Sequence, residues 1–582
     1  MKLLLLFSMI FSGFPLCAQL YISPSDKSDS YIYVRDRLVY VQNAIDLREN
    51  KNSETEASIY LRRGSQLLQG DKDFNNNTGN GKISLYQKGT SNAYDYNYWS
   101  LPVKVSNEKN TLLNDYIYDP LSNTNSRKSK LVSSHDGSSN PLHISARWIY
   151  AFSGTNYSNW GYAGNHFDLE PGEGFTMKGV NGTNDLIIEE QVINSGSSQT
   201  YDFRGLPNNG KIELAIKKDQ LILVGNPYPS ALNLDKFLFE NTSTTGIAYF
   251  WDSKSNGNSH YLTDYEGGYG TYSPGAGAYI PAIFKKHNVE TGQTGGIYQR
   301  KIAPVAQGFM VKGKTDGKIV FKNSQRIFQK ESPGISSFKS AELLIPSVKL
   351  IVEIDSLFQK QLLLAFRADS TVDSDHAMDA LDLNDYPSNI SWFLDNTNYV
   401  INVRPKLDEE LIPLSIKLEK DTDLKFSVSE FHNFNPDRLF IFDSKDQLYF
   451  NIRSGSLKMR LTAGEYPNRF FLSFIETLPP ESVSDLSVPE DLKPKPKNIL
   501  LNSIEIYQNN RLEQLEVRML YESEIQDLRL YNLNGKLIFS RKFKGFQKEF
   551  YLPTGNLSTA VYIVKVNTSD NKEITKKISI KN

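Results

Sequence analysis

Leu424-Lys425-Phe426-Ser427-Val428-Ser429 alternates apolar and polar residues, and Leu515-Glu516-Val517-Arg518-Met519 repeats the alternation much further along the chain. A period of two puts one set of side chains on a core and the other in water, the signature of a half-buried strand. Between such runs lie short Asn/Gly/Ser/Asp clusters, which make tight turns rather than crossover helices. No amphipathic stretch exceeds about two helical turns. The pattern predicts an all-β, multidomain chain of mostly antiparallel, sandwich-like domains.

Length and composition agree. At roughly 150 residues per domain, a chain of 582 residues has room for about four. Apolar residues make up 39%, with 32 Tyr and 32 Phe, enough to fill several cores, which excludes wholesale disorder. The 65 Lys and Arg against 66 Asp and Glu leave a net charge of −1. Without a broad basic field, nucleic acid is excluded as the main partner.

Residues 1–18 read as a secretory signal peptide: Lys2 is the basic start, Leu3 to Phe14 an almost uncharged apolar run, and Ala18 the small residue at the cut. The run is too short for a comfortable membrane span, and no other stretch approaches the length one needs. Lipidation at Cys17 is disfavoured by Leu16, where a small residue is wanted. Cleavage after Ala18 would also remove the only cysteine, leaving no disulfide and no thiolate chemistry.

The further division is a β-rich region at 19–90, a duplicated body at 91–335, a β-sandwich at 340–476, a linker at 477–498 and a C-terminal domain at 499–582. The linker opens at Pro479-Pro480 and closes on Lys493-Pro494-Lys495-Pro496-Lys497. Repeated X-Pro pairs are held extended and cannot enter a sheet ladder, so this is a semi-rigid spacer. A softer boundary falls near 331–340, around Ser332-Pro333-Gly334.

The duplication rests on two pairs of landmarks. Tyr98-Trp99-Ser100-Leu101-Pro102 is followed by Pro171-Gly172-Glu173-Gly174-Phe175-Thr176-Met177-Lys178-Gly179. Asn226-Pro227-Tyr228-Pro229-Ser230 is followed, after a similar interval, by Pro304-Val305-Ala306-Gln307-Gly308-Phe309-Met310-Val311-Lys312-Gly313. The units run over about 91–190 and 215–325. Two copies are too few for a solenoid, so they should pack as one body, with Phe175 and Phe309 anchoring equivalent strands. The segments Trp99 to Pro102 and Pro227 to Ser230 should then sit at equivalent strand ends.

From Ile499 to Asn582 the chain carries Leu530-Tyr531-Asn532-Leu533-Asn534-Gly535-Lys536-Leu537, then Leu557, then Val561-Tyr562-Ile563-Val564-Lys565-Val566, and closes on Ile574-Thr575-Lys576-Lys577-Ile578-Ser579-Ile580. Asn534-Gly535 is hairpin-turn chemistry between alternating flanks. This stretch resembles the type A C-terminal sorting domain of type IX secretion in the Bacteroidota, departing from it at Ala560, where the family usually has Gly. The resemblance implies a small Ig-like β-sandwich read by the type IX machinery, with Asn534, Gly535, Lys536, Tyr562, Lys576 and Lys577 as the sorting-signal residues. The body is similar to multidomain surface proteins of the same group through Gln66-Leu67-Leu68-Gln69, Tyr96-Asn97-Tyr98-Trp99-Ser100, Gly225-Asn226-Pro227-Tyr228-Pro229-Ser230 and Gly464-Glu465-Tyr466-Pro467-Asn468-Arg469-Phe470. It implies a location outside the cell or on its outer surface, and no reaction.

Chemistry is sparser. The seven His, at 135, 143, 166, 260, 287, 376 and 432, form no His-Glu-x-x-His, and neither a Gly-x-Ser-x-Gly elbow nor a phosphate-binding loop occurs. No catalytic residue is therefore nominated. The densest acidic cluster is Asp369, Asp373, Asp375, Asp379, Asp382 and Asp385; of these Asp373, Asp375 and Asp379 are the candidate calcium ligands, against the plainer reading of a solvated loop. No other cofactor is expected. Tyr98, Trp99, Tyr228 and Trp251 could stack on sugar rings or fill a core. The sequence thus predicts an exported, non-enzymatic surface protein for adhesion or glycan binding. A secreted polysaccharide- or protein-degrading hydrolase with scattered catalytic residues and a structural surface-layer or matrix component are the alternatives.

Overall fold

The computed structural model describes residues 20–50, 57–70, 76–105, 111–254, 258–286, 289–298, 300–331, 345–384, 386–406, 411–476, 504–509, 513–519, 525–532, 535–543, 549–568 and 573–581. The signal peptide expected at 1–18, the linker at 477–498, Asp385 and Asn534 lie outside these residues. The fold is multidomain and all-β. Among the described residues, the α-helical part is the seven-residue helix α1 (Leu234–Glu240), capped by Asn233, whose side chain accepts the Lys236 N–H. None of their helices is long and apolar enough to cross a membrane. The chain falls into two compact units, Met1–Pro479 and Pro480–Asn582.

Six strands of the first copy have counterparts in the second: β1 (Ile83–Lys88), β2 (Tyr96–Ser100), β3 (Tyr150–Gly154), β4 (Trp160–Tyr162), β5 (Gly174–Lys178) and β6 (Thr200–Pro207). The counterparts are β7 (Ile212–Ile216), β8 (Leu221–Gly225), β9 (Ala248–Ser253), β10 (Glu266–Ser273), β11 (Gly308–Lys312) and β12 (Gly317–Phe321). The order β4-β3-β5-β2 in the first matches β10-β9-β11-β8 in the second, and β1 pairs β6 as β7 pairs β12. Register is kept as well. Tyr150 opposes Thr176 as Tyr249 opposes Met310, and Phe152 opposes Trp160 as Trp251 opposes Tyr269.

The copies join by an exchange. Gly225 N–H donates to the Gly172 carbonyl (3.0 Å), and Ser100 N–H donates to the Ala306 carbonyl (2.9 Å). Both acceptor residues adopt positive φ, +93° at Gly172 and +62° at Ala306. In the first copy Ser153 and Gly154 of β3 pair with β8, while in the second β10 pairs with the whole of β9. Phe175 and Phe309 are each fully buried, in separate but corresponding cores. The correspondence of the strand ends needs one correction. Pairing of Gly174 with Ser100 and of Gly308 with Gly225 aligns Pro102 with Pro227, two residues earlier than the landmark at Pro229.

The expectation of mostly antiparallel pairing holds for the body, where Lys130–Val132 and His143–Ser145 pair in parallel as an exception, and fails in the N-terminal region. There Ile32–Arg35, Ile59–Arg62 and β1 lie side by side in parallel, as do Leu20–Ile22 with Ile45–Leu47 and Leu38–Val41 with Gln66–Gln69. Parallel neighbours need long connections rather than hairpins, and the intervals between these strands supply them.

After residue 345 an eleven-stranded sheet includes β13 (Phe358–Phe366), β14 (Asn389–Leu394) and β15 (Thr397–Arg404). Its core residues Leu350, Leu362, Leu364, Ile401 and Leu414 form one cluster with Tyr98, Phe152, Leu223, Tyr249 and Met310 of the duplicated sheet. The boundary expected near 331–340 therefore separates two sheets that share a core. The C-terminal unit is a sandwich of a three-stranded and a four-stranded sheet closed around Leu515, Val517, Leu528, Leu530, Val564 and Val566.

Candidate functional site

Of the four aromatics expected to meet a ligand, three are core. Tyr228 is fully buried, its hydroxyl donating to the Gly210 carbonyl (2.6 Å) and its ring facing the guanidinium of Arg326 (4.7 Å). Trp99 packs edge-on against Tyr201 and beside Phe203, and Tyr98 is buried with its hydroxyl 2.8 Å from that of Tyr269. Buried rings have no free face for a sugar, so these three are corrected to structural residues. Trp251 is only half-buried.

Trp251 lines a groove of about 1670 Å³ between the two copies. One wall is the outer edge of β2 with its approach, Asp95, Tyr96 and Asn97; the other is the end of β9, Trp251 to Lys254, with Tyr298 and Arg300. The half-buried Arg300 guanidinium lies between the rings of Phe250 (4.2 Å) and Tyr298 (4.4 Å), and its Nε has no hydrogen-bond partner among the described residues. Burial disfavours its charged form. Asp252 accepts the Gly296 N–H (2.9 Å) and is pushed up by loss of solvation. Asp95 is pushed up to about 6, chiefly by burial, with Lys178 lowering it and Asp252 raising it further.

Behind this wall stands Lys178, the last residue of β5, opposite Tyr96 in the ladder. It is buried, and its Nζ lies 3.8 Å from the Trp148 ring, 4.7 Å from Tyr265 and 5.0 Å from Tyr96. The same Nζ is 3.0 Å from Nδ1 of His260, whose Nε2 is 2.8 Å from Asp136 and whose ring stacks on Trp148. Both contacts are satisfied when Lys178 donates to Nδ1 and Nε2–H donates to Asp136. Loss of solvation lowers Lys178 to about 7, against the opposing pull of Asp95 and Asp136.

The acidic series behaves as a loop brace. Asp379 turns inward, one oxygen accepting from Asn402 Nδ2 (2.9 Å) and Val403 N–H (2.7 Å), the other from Asp375 N–H (2.8 Å). Burial pushes it up to about 6. Asp375 in turn accepts the Thr371 N–H, while Asp373 is exposed. Both Asp379 oxygens already accept hydrogen bonds, and no group of three His, Cys, Asp or Glu suited to a metal occurs among the described residues, so the structure does not bring Asp373, Asp375 and Asp379 together as a ligand set.

In the C-terminal unit Gly535 has φ +77°, and Lys536 N–H donates to the Asn532 side chain (2.9 Å), which fits the turn read from the sequence. Tyr562 is buried, its hydroxyl donating to the Ser558 carbonyl (3.0 Å), while Lys576 and Lys577 are exposed on the strand Glu573–Ile580.

Asp95, Asp252, Tyr298, Arg300 and Lys178 escaped sequence reading as site residues. The one available signal was the lysine closing both Gly-Phe-x-x-Lys-Gly motifs, which were read for their phenylalanines.

Residues 36–474 match a family described as a domain of unknown function (DUF8693). The chain belongs to that family. Residues 492–580 match a second domain of unknown function (DUF8694), whose span contains the whole C-terminal sandwich. No curated protein matches the chain. A solved structure of a biofilm associated protein, BSP domain, is 9% identical with a TM-score of 0.12, over 64% of this chain and 64% of that one. The chain thus spans less than two thirds of that structure, and the likeness is too slight to equate the two folds.

Proposed function

We propose that this chain is an exported surface protein that binds a glycan in the groove between its two copies. One observation carries the reading: half-buried Trp251 and Tyr298 flank the groove beside Asn97, Asp252 and the under-bonded Arg300 guanidinium. Aromatic faces suit the C–H faces of sugar rings, and fixed polar groups beside them select hydroxyls. A glycan array with the full chain tests it. Trp251→Ala and Tyr298→Ala should each weaken binding of the best ligand at least about tenfold, the worth of about 1.4 kcal/mol, with melting still cooperative. Unchanged binding in both variants would overturn the reading.

A second reading has one observation behind it. Asp95 and Asp252 line the same groove, and both carboxyls are held above their ordinary range by burial. A pair of carboxyls with a raised acid is what glycoside cleavage requires. New reducing ends released from a bound glycan, and lost in Asp95→Asn, would favour the hydrolase; an intact glycan after prolonged incubation would favour binding alone.

For export, the C-terminal unit is proposed to serve as the type IX sorting signal through Asn534, Gly535, Lys536, Tyr562, Lys576 and Lys577, which rests on its resemblance to that family. Removing residues 499–582 should leave the body inside the outer membrane of the native host. Wild-type surface levels of the truncated chain would refute the assignment.

A further inference from the structure

Two lysines are buried among the described residues, Lys178 and Lys360, and their surroundings differ in kind. Lys178 meets aromatic rings and an imidazole. Lys360, on β13, meets a carboxylate: its Nζ is 2.5 Å from Oδ2 of Asp382, and the two side chains are 3% and 1% exposed. The same Oδ2 accepts Nδ2 of Asn389, the first residue of β14, at 2.9 Å. Asn389 is itself buried, and its Oδ1 has no hydrogen-bond partner among the described residues. Tyr386 covers the group, its ring 4.8 Å from Lys360 Nζ and 4.2 Å from Nζ of Lys285 on the neighbouring strand Ile283–Lys286. Amine and carboxamide are thus held on one carboxylate oxygen, out of water.

We propose that Lys360 and Asn389 form an intramolecular isopeptide bond, with Asp382 moving the protons. Taking an ammonium and a carboxylate out of water is costly, and transfer of one proton from Lys360 to Asp382 removes both charges. A neutral amine is also the nucleophilic form. The Lys360 nitrogen then adds to Cγ of Asn389, placing negative charge on Oδ1 and a surplus proton on the attacking nitrogen, while the Asp382 acid, bonded to Nδ2, delivers its proton to that leaving nitrogen. Collapse of the tetrahedral intermediate re-forms the carbonyl and breaks the Cγ–Nδ2 bond; ammonia leaves, and the Lys360 nitrogen returns its surplus proton to Asp382. The balance is one amine and one primary amide consumed, one secondary amide and one ammonia formed, with Asp382 regenerated and no oxidant or cofactor needed. Proximity to a pre-positioned amide is what makes so slow a reaction feasible at this site.

The link would tie β13 to β14 across β15, which lies between them in the sheet. A chain with a single cysteine cannot make an internal disulfide, so an amide is the covalent staple open to it.

Mass spectrometry of the purified full chain tests the proposal. The expected intact mass is one ammonia below that of the same chain without the bond, with a branched tryptic peptide joining Lys360 to Asn389 and no tryptic cleavage after Lys360. Lys360→Arg should restore the full mass, and so should Asp382→Asn. A wild-type chain of full mass cleaved after Lys360 would overturn the proposal without recourse to any variant. Loss of one water with a Lys360–Asp382 peptide would overturn the choice of partner. A branched peptide persisting in Asp382→Asn would overturn the role given to Asp382.

Discussion

The two copies of the body have the same strand order and register yet end in different chemistry. Each closes on Gly-Phe-x-x-Lys-Gly. In the first, Lys178 is sealed among Trp148, Tyr265 and Tyr96; in the second, Lys312 is partly exposed, its Nζ 3.9 Å from Asp219. The strand framework is the same, so the difference comes from what each copy inserts between its strands. The first places Trp148 just before β3, and the second contributes His260 and Tyr265 from the segment leading to β10. A repeated motif therefore fixes a backbone position, while the environment of its side chain is set by segments that are not repeated.

The largest test of that comparison concerns what the copies share. Phe175→Ala and Phe309→Ala each empty a fully buried ring site, so each should cost about 3–5 kcal/mol in chemical denaturation. A loss under about 1 kcal/mol at one site would break the equivalence of the two cores.

The lysines sharpen the difference. Lys178 is lowered to about 7 by burial, with Asp95 and Asp136 acting on it as opposite charges and His260 as its hydrogen-bond partner. Between about pH 7 and the ordinary lysine range near 10.4, the unfolded chain keeps this proton and the folded chain releases it. Folding then sheds a proton, so stability from this group rises with pH, by up to about 1.4 kcal/mol per unit. Lys178→Met should flatten that slope relative to wild type in melts across the window, and Lys312→Met should not. Identical slopes in all three would show that the cage does not discharge the amine.

A smaller effect separates the joining residues. A Cβ on Gly172 would come within 2.9 Å of the Phe321 ring, in backbone at φ +93°. Gly172→Ala should therefore destabilise by about 1–2 kcal/mol, whereas Ala306→Gly, at φ +62°, should change stability by less than about 1 kcal/mol. Equal costs would show that the contact with Phe321 adds no strain at Gly172.

The smallest expected effect is none. The melting temperature should be the same with excess chelator and with added calcium, because the Asp379 oxygens are already bonded by Asn402, Val403 and Asp375. A calcium-dependent rise would show a ligand bound by the folded state alone.

The sequence by itself determined the strand class, the duplication and the anchoring phenylalanines. These depend on alternation and on a repeated motif, which are local properties of the chain. The turn at Gly535 was legible for the same reason, since a hairpin turn is chosen by its own residues. Only the tertiary structure decided which aromatics were buried. Tyr228 looks like a surface ring until Arg326 and Gly210 arrive from elsewhere in the chain, and Asp379 looks like a metal ligand until Val403 and Asn402 turn their N–H groups toward it. It also decided the groove, because β2 and β9 lie far apart in sequence and meet only when the copies pair. Burial and charge at a site are sums over neighbours drawn from the whole fold, so no local window contains them.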